Sequence, residues 1–105
     1  MKDQRIFFDQ IVKKISQYPQ IKPGKMMNSS GIKYKDKVIA FFHNDEMIFR
    51  LGKDFDPHKF GLREVKLLNP FKNKGPLKGW FVVNRFEKEK WEDLTRKAFE
   101  YAKSL

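Results

Sequence analysis

The sequence predicts an α+β domain: a small antiparallel sheet, made of a meander plus one later strand, packed by an N-terminal and a C-terminal helix. Two amphipathic stretches, one near each end of the chain, repeat their apolar residues every three or four positions, as helices do. Between them lie three short segments rich in apolar residues, the first of which alternates apolar and polar positions, and the polar connections joining them are short enough for hairpins. The chain has 105 residues, which is the size of a single domain.

The first element is a predicted helix from about Lys2 to Tyr18. Its apolar stripe repeats at spacings of three and four residues and consists of Phe7, Ile11, Ile15 and Tyr18, widened by Phe8 and Val12. Asp3 is a suitable cap for its start, and Pro19 ends it because the residue before a proline is pushed out of the helical region. The pair Pro23-Gly24 then predicts a turn.

Three predicted strands follow in a row, from Gly31 to Lys35, from Val38 to His43 and from Met47 to Leu51. Short polar loops connect them, which favours an antiparallel meander over crossover connections. The second and third strands carry apolar side chains on both faces, so the sheet needs cover on both sides. We expect the two terminal helices to provide this cover.

Asp56 followed by Pro57 predicts the cap and first residue of a short helix, Pro57 to Phe60, which ends at Gly61. A long basic segment, Arg63 to Lys78, comes next. It leads to a predicted strand from Trp80 to Val83 that is apolar on both faces and completes the sheet.

Asn84 and Glu87 have the spacing of a capping box and predict the start of the last helix. The apolar stripe of that helix consists of Trp91, Leu94, Ala98 and Leu105, joined by Tyr101 or Ala102. Its other face is densely charged with both signs, which is typical of a solvated helix surface.

The composition excludes several classes of protein. The chain has no cysteine, which excludes a disulfide scaffold, a thiol nucleophile and every zinc site that needs thiolates. Its longest apolar run, Val38 to Phe42, is far shorter than the roughly 20 residues needed to span a bilayer. The N-terminal residues contain no signal-peptide apolar block. The sequence therefore predicts a cytoplasmic protein without a membrane partner.

We find no catalytic signature and predict that the chain is not an enzyme and has no catalytic residues. Ser29 and Ser30 lack the glycines that flank the serine of a nucleophile elbow. No segment has the repeated glycines of a phosphate-binding loop.

Metal ligands are equally scarce in the sequence. The chain has two histidines, His43 and His58, and they are not spaced as a helical ligand pair. Asp54, Asp56 and His58 alternate along the chain, but they lack the pattern of a calcium loop. We therefore predict no metal site and no cofactor.

The strongest functional signal is charge. The chain carries 23 Lys and Arg residues against 13 Asp and Glu residues, for a net charge of +10. Two connecting regions hold most of the excess: residues 20–37 have five basic residues and one acidic residue, and residues 52–84 have seven basic and three acidic. Such a balance indicates an acidic partner, although it also serves ordinary solubility.

Nucleic acid is the partner that this charge predicts first. Lysine outnumbers arginine, and lysine is a point charge suited to phosphates, whereas arginine dominates the bidentate recognition of base edges. Binding should therefore be weakly sequence-specific. The predicted nucleic-acid-binding residues are Lys33, Lys35, Lys37, Arg63, Lys66, Phe71, Lys72, Lys74 and Lys78.

Aromatic side chains add base stacking to such a surface only where they are exposed. Alternation predicts that Phe41, Phe42, Phe49 and Trp80 are mostly core residues. Phe71, between Pro70 and Lys72 in a predicted loop, is the better candidate for stacking.

The order of several short motifs resembles the N-terminal domain of the TfoX/Sxy proteins. These motifs are Lys25-Met26-Met27, Gly31-Ile32-x-Tyr34, Val38-x-Ala40-Phe41, Met47-Ile48-Phe49-Arg50-Leu51, Asn69-Pro70-Phe71, Pro76-Leu77-Lys78-Gly79-Trp80-Phe81-Val82-Val83 and Trp91-x-x-Leu94-x-x-x-Ala98-x-x-Tyr101. The family usually has Met-Phe-Gly where this chain has Met26-Met27-Asn28.

The resemblance implies a single TfoX N-terminal-like domain over residues 1–105, with an antiparallel sheet and without the helical C-terminal domain of full-length competence regulators. It also implies a regulatory role, since TfoX proteins govern DNA-uptake competence as transcriptional coactivators. The similar MmcQ/YjbR proteins are regarded as candidate DNA binders. Neither family supplies catalytic residues.

The sequence thus predicts a non-catalytic regulatory or adaptor domain with a basic surface that binds nucleic acid with little sequence specificity. The alternative is a protein–protein interaction module whose partner is an acidic protein and which does not bind nucleic acid.

Overall fold

The computed structural model of the chain describes residues 2–26, 29–43, 45–68 and 77–105. Within these ranges the chain forms two α-helices, six strands and one 3-10 helix. In chain order they are α1 (Lys2–Ile15), β1 (Ile21–Met26), β2 (Ser29–Tyr34), β3 (Lys37–His43), β4 (Glu46–Arg50), β5 (Val65–Leu68), β6 (Leu77–Val83), the 3-10 helix (Arg85–Lys90) and α2 (Trp91–Ser104).

The strands form a single sheet in the order β1-β2-β3-β4-β6-β5. All neighbouring strands are antiparallel. The meander β2-β3-β4 and the later strand β6 lie where the alternation of apolar residues predicts them. The α+β class, with one helix at each end of the chain, is confirmed.

Both edge strands were missed by the sequence analysis. Pro23 and Gly24 predict a turn, but they lie inside β1, where Pro23 is opposite Ile32 of β2. Proline is tolerated there because an edge strand pairs on one side only. The other edge, β5, lies within the predicted basic segment, and its four residues are too few for a clear alternation.

Two helical predictions are wrong in detail. The first helix ends at Ile15 rather than at Tyr18, and hydrogen-bonded turns carry the chain on towards β1. Residues 57–60 form turns instead of a short helix. Asp56 nevertheless caps this turn: its Oδ1 accepts hydrogen bonds from the backbone N–H groups of His58 at 3.0 Å and Lys59 at 3.4 Å.

Both helices pack on the same face of the sheet, so the prediction that they cover both faces is wrong. Residues of α1 and α2 belong to one buried cluster with the strands. This cluster includes Phe8, Ile11, Ile15, Ile32, Ala40, Met47, Phe49, Phe81, Val83, Trp91, Leu94 and Ala98. The apolar patterning of β3 and β4 shows that both faces need cover, but it does not say which element provides it.

The opposite face, which we call the second face, carries a cross-strand row of Phe41, Ile48 and Val82. Trp80 lies beside this row, with its ring centroid 5.9 Å from that of Phe41. Phe41 is buried, as predicted, and Ile48 is buried as well, whereas Trp80 and Val82 are half-buried. Trp80 is therefore more exposed than the sequence predicts.

Trp91 is the centre of the helix-side core and is fully buried. Its ring meets Phe7 of α1 at 6.3 Å and Phe42 of β3 at 6.2 Å, both edge to face. Just before it, Asn84 caps the 3-10 helix through a hydrogen bond from the N–H of Phe86 to Oδ1 at 3.0 Å. The prediction that Asn84 caps the last helix is wrong, because α2 begins at Trp91 and the residue before it, Lys90, makes no side-chain capping hydrogen bond.

Candidate nucleic-acid interface

Lysines from two neighbouring strands face each other at the β1 edge. The register of the ladder places Lys22 of β1 directly opposite Lys33 of β2. Like charges in this position destabilise a sheet, so the stability of the fold does not explain the pair. Lys35 follows at the end of β2, and the three side chains line a cavity of about 330 Å³ together with Pro19, Gln20, Pro23 and Asp36. We call Lys22, Lys33 and Lys35 the lysine cluster.

Gly24 gives Lys33 the room to lie across β1. A Cβ atom built on Gly24 would be 2.5 Å from Cγ of Lys33 and 2.7 Å from its Cδ and Cε. These distances are too short for real contacts, so an alanine at this position would push the lysine stem aside. The course of the Lys33 side chain therefore depends on a residue two positions from Lys22 along β1.

Lys35 is held in place by an unusual turn. The β2–β3 connection has two consecutive residues with positive φ, Lys35 at 49° and Asp36 at 69°. Hairpin turns of this shape favour Asn-Gly, because other side chains are strained there. The Lys35 N–H donates to the carbonyl of Gln20 at 3.2 Å, and its Nζ lies 5.4 Å from the centroid of the Tyr34 ring.

Several cations of the helices, unlike those of the lysine cluster, form ion pairs with acidic side chains. Ion pairs join Lys14 to Glu92 at 3.0 Å, Arg96 to Glu92 at 2.8 Å and Lys97 to Glu100 at 3.9 Å. Across the described part of the chain, by contrast, no ion pair involves a member of the lysine cluster. Acidic partners thus offset several cations of the helices at short range, and among the described residues no ion pair does so for the cluster.

At the opposite edge of the sheet, Arg63 has an acidic partner. Its backbone N–H and its Nε donate to Oε1 of Glu87 at 2.7 and 3.3 Å. Glu87 is only 2% exposed, so it acts as a buried acceptor and not as the reciprocal half of a capping box. Part of the Arg63 charge therefore compensates a buried carboxylate.

The predicted binding residues consequently fall at two edges. Lys33, Lys35 and the exposed Lys37 lie around the β2–β3 turn, while Arg63 and the exposed Lys66 lie on or before β5. Lys66 is opposite Val82 and so lies on the second face, as Lys33 does. Four strand intervals separate β2 from β5, or about 19 Å at the usual spacing of about 4.8 Å.

The side chains of four other predicted residues lie outside the described part of the structure. Phe71, Lys72 and Lys74 lie outside the described residues, and Lys78 lies in β6 but its side chain is not described. The sequence analysis in turn missed Lys22 as a partner of Lys33. The signal that could have found it, a basic residue in an alternating segment after Pro19, was masked by the turn propensity of Pro23-Gly24.

The ligand-like residues of the sequence are spread through the fold. Among residues 2–26, 29–43, 45–68 and 77–105, no group of three or more His, Cys, Asp or Glu side chains could hold a metal ion. Nδ1 of His43 lies 2.9 Å from Oγ of Ser29, at the end of the β2–β3 ladder. None of the helices that the structure describes is both long and apolar enough to cross a membrane.

The described part of the chain is a helix-backed antiparallel sheet, and the lysine cluster at one of its edges has no ion-paired acid among those residues. Comparison with protein-family models, with curated proteins and with solved structures gives no significant match.

Proposed function

We propose that this chain is a non-catalytic regulatory or adaptor domain that binds nucleic acid, with little sequence specificity, through the lysine cluster. The observation that supports this most strongly is the opposed pair Lys22 and Lys33, which the fold holds together without an ion-paired acid among the described residues. Such a pair is stabilised by an external anion, and the phosphates of nucleic acid supply a row of them.

The kind of side chain supports weak specificity. The cluster contains lysines only, and ammonium groups contact phosphates without the bidentate geometry that distinguishes bases. Arg63, which has that geometry, is engaged with Glu87. The resemblance of the sequence to TfoX N-terminal domains agrees with a regulatory role.

A salt titration with matched variants tests the proposal. Each phosphate contact steepens the dependence of log K on log salt by about 0.9 for duplex DNA. Changing Lys22, Lys33 and Lys35 together to Gln should therefore flatten the slope by roughly two to three units. The control changes Lys14, Arg96 and Lys97 to Gln, which removes the same charge from ion-paired positions and should alter the slope little.

Two outcomes would contradict the proposal. Equal losses in both triple variants would show that binding responds only to the overall positive field. Absence of binding by the wild-type protein at low salt, with either single-stranded or duplex DNA, would exclude nucleic acid as the partner.

An acidic protein partner is the second candidate, and one feature favours it. Beside β5, a groove of about 420 Å³ is lined mainly by apolar residues, among them Phe55, Val65 and Leu67, with Lys53 at its side. Leu67 is 39% exposed, which is high for a leucine in a sheet. Retention of a protein from lysate after nuclease treatment, lost on changing Leu67 to Asp, would favour this function.

A further inference from the structure

The second face carries both aromatic and basic side chains, and the lysine cluster accounts for only some of them. Its central row runs from Gly31 through Phe41, Ile48 and Val82 to Lys66, one residue from each of five neighbouring strands. Lys22 and Lys33 lie at one side of the face and Lys66 at the other. Trp80 lies between them, half-buried, with its ring against Phe41.

We propose that the second face binds single-stranded nucleic acid in preference to duplex, with Trp80 as the side chain on which an unpaired base stacks. This inference rests on the proposed nucleic-acid function and names the form of nucleic acid that it takes. An indole ring offers a base a flat apolar surface, and such stacking tolerates every base because each has a π-face.

Contact with a buried neighbouring ring makes Trp80 a suitable platform. Phe41 lies 5.9 Å away at an angle of 55°, and Phe41 is itself only 2% exposed. Phe41 therefore packs against the indole at a tilt, while the intermediate burial of Trp80 leaves part of the residue accessible. A ring that is already ordered loses little conformational entropy when a base packs on it.

The basic edges suit one strand of phosphates crossing the sheet. The strands that carry Lys33 and Lys66 are about 19 Å apart across four strand intervals, and Trp80 belongs to a strand between them. A stacked strand advances about 3.4 Å per phosphate, so five or six phosphates cover that distance. A single strand can therefore contact lysines at both edges and place a base on Trp80.

A duplex does not meet the same surface equally well. Its base faces are stacked on each other, so only its phosphates are available to the second face. The usual duplex reader is a helix in the major groove, but two of the three cations of α2, Arg96 and Lys97, are engaged in ion pairs with acidic residues of the same helix. The aromatic contribution is therefore confined to unpaired bases.

Fluorescence and anisotropy test this on the full chain. The probe is an oligothymidylate of about 15 nucleotides, near the upper end of the ~4–16 nucleotides that a sheet-based domain covers, compared with the same strand annealed to oligoadenylate. Single-strand binding should quench the emission of Trp80. In Trp80→Phe the remaining tryptophan, Trp91, is fully buried and should not be quenched.

Affinity measurements give the size of the effect. Trp80→Ala should weaken binding of the single strand by about 5-fold to about 150-fold, the usual range for one stacked base. Trp80→Phe should recover part of the loss, and neither variant should change duplex affinity much. Leu67→Ala is the matched control, because it removes an exposed apolar side chain from the helix side of the sheet.

The outcomes separate this inference from the proposed function. Duplex binding as tight as single-strand binding, or unchanged single-strand affinity in folded Trp80→Ala, would overturn the preference for single strands while leaving nucleic-acid binding through the lysine cluster intact. Failure of the wild-type protein to bind either probe at low salt would overturn both. A far-ultraviolet circular dichroism spectrum matching the wild type establishes that the Trp80 variants are folded.

Discussion

The helix α2 and the β1–β2 ladder carry similar numbers of cations but present different surfaces. In α2, three basic residues alternate with three acidic residues, and spacings of three and four let Arg96 pair with Glu92 and Asp93. From β1 to the start of β3, residues 21–37 carry five basic residues and one acidic residue. The antiparallel register then places lysine opposite lysine.

The comparison teaches that position, rather than number, decides where a net charge of +10 acts. On a helix, opposite charges three or four residues apart neutralise each other at short range. In a ladder, the neighbour across the strand is set by register, so the residue types on two distant stretches decide the local field. Substitutions in α2 should therefore affect mainly the stability of the fold, and substitutions in the β1–β2 ladder should affect mainly nucleic-acid binding.

The largest expected effect lies in the helix region. Trp91→Ala should lower the free energy of unfolding by about 3–5 kcal/mol, because the ring is fully buried between α1, α2 and β3. Urea denaturation measures this, with Trp80→Ala as the matched variant on the second face. A half-buried tryptophan should cost clearly less. Equal shifts in the two urea midpoints would contradict the division between a stabilising core and an accessible face.

A smaller effect is expected from a substitution beside the lysine cluster that leaves the net charge unchanged. Gly24→Ala should displace the Lys33 stem and weaken nucleic-acid binding by up to about tenfold, equivalent to about 1.4 kcal/mol. Stability should change little, because a flexible side chain gives way instead of the backbone. Gly61→Ala is a poor control, since Gly61 has φ of 91°; an alanine at the exposed Ser16 serves better. Unchanged affinity in Gly24→Ala would show that the arrangement of the lysines is unimportant.

The smallest effect comes from the β2–β3 turn. Asp36→Gly should stabilise the protein by about 0.5–1 kcal/mol, because relief of left-handed strain of about 1–2 kcal/mol outweighs the entropy cost of glycine. It should also strengthen binding slightly by removing an acid beside the lysine cluster. Asp45→Gly, at φ 62° in the β3–β4 turn, is the control. Thermal melts should rise for both variants, and affinity should rise mainly for Asp36→Gly.

The sequence correctly predicted those elements in which the periodicity of the apolar residues matches their burial in the structure. The stripe of α2 and the alternation in β3 and β4 belong to segments that are packed tightly against the core, so their apolar residues had little freedom. The edge strands β1 and β5 were missed because an edge is hydrogen-bonded on one side only and tolerates proline, glycine and lysine. The local sequence pattern is therefore a weaker predictor of edge strands, whose position depends on pairing with a neighbouring strand.

The sequence likewise predicted only some of the residues of the candidate site. Lys33 and Lys35 follow directly from the basic composition of their segment. Their partner Lys22 depends on the register between β1 and β2, which no local spacing encodes. The partial exposure of Trp80 depends on both helices packing on the other face of the sheet. The apolar pattern of β6 does not determine which face the helices cover.

Pro23 has a consequence for self-association. It removes one main-chain donor from the outermost strand of the sheet, and the exposed Lys22 and Lys25 flank it. Proline and charge are the devices by which β-proteins keep a second chain from extending their sheets into aggregates. Pro23 and the two lysines therefore oppose edge-to-edge pairing of β1, the strand that contributes Lys22 to the lysine cluster.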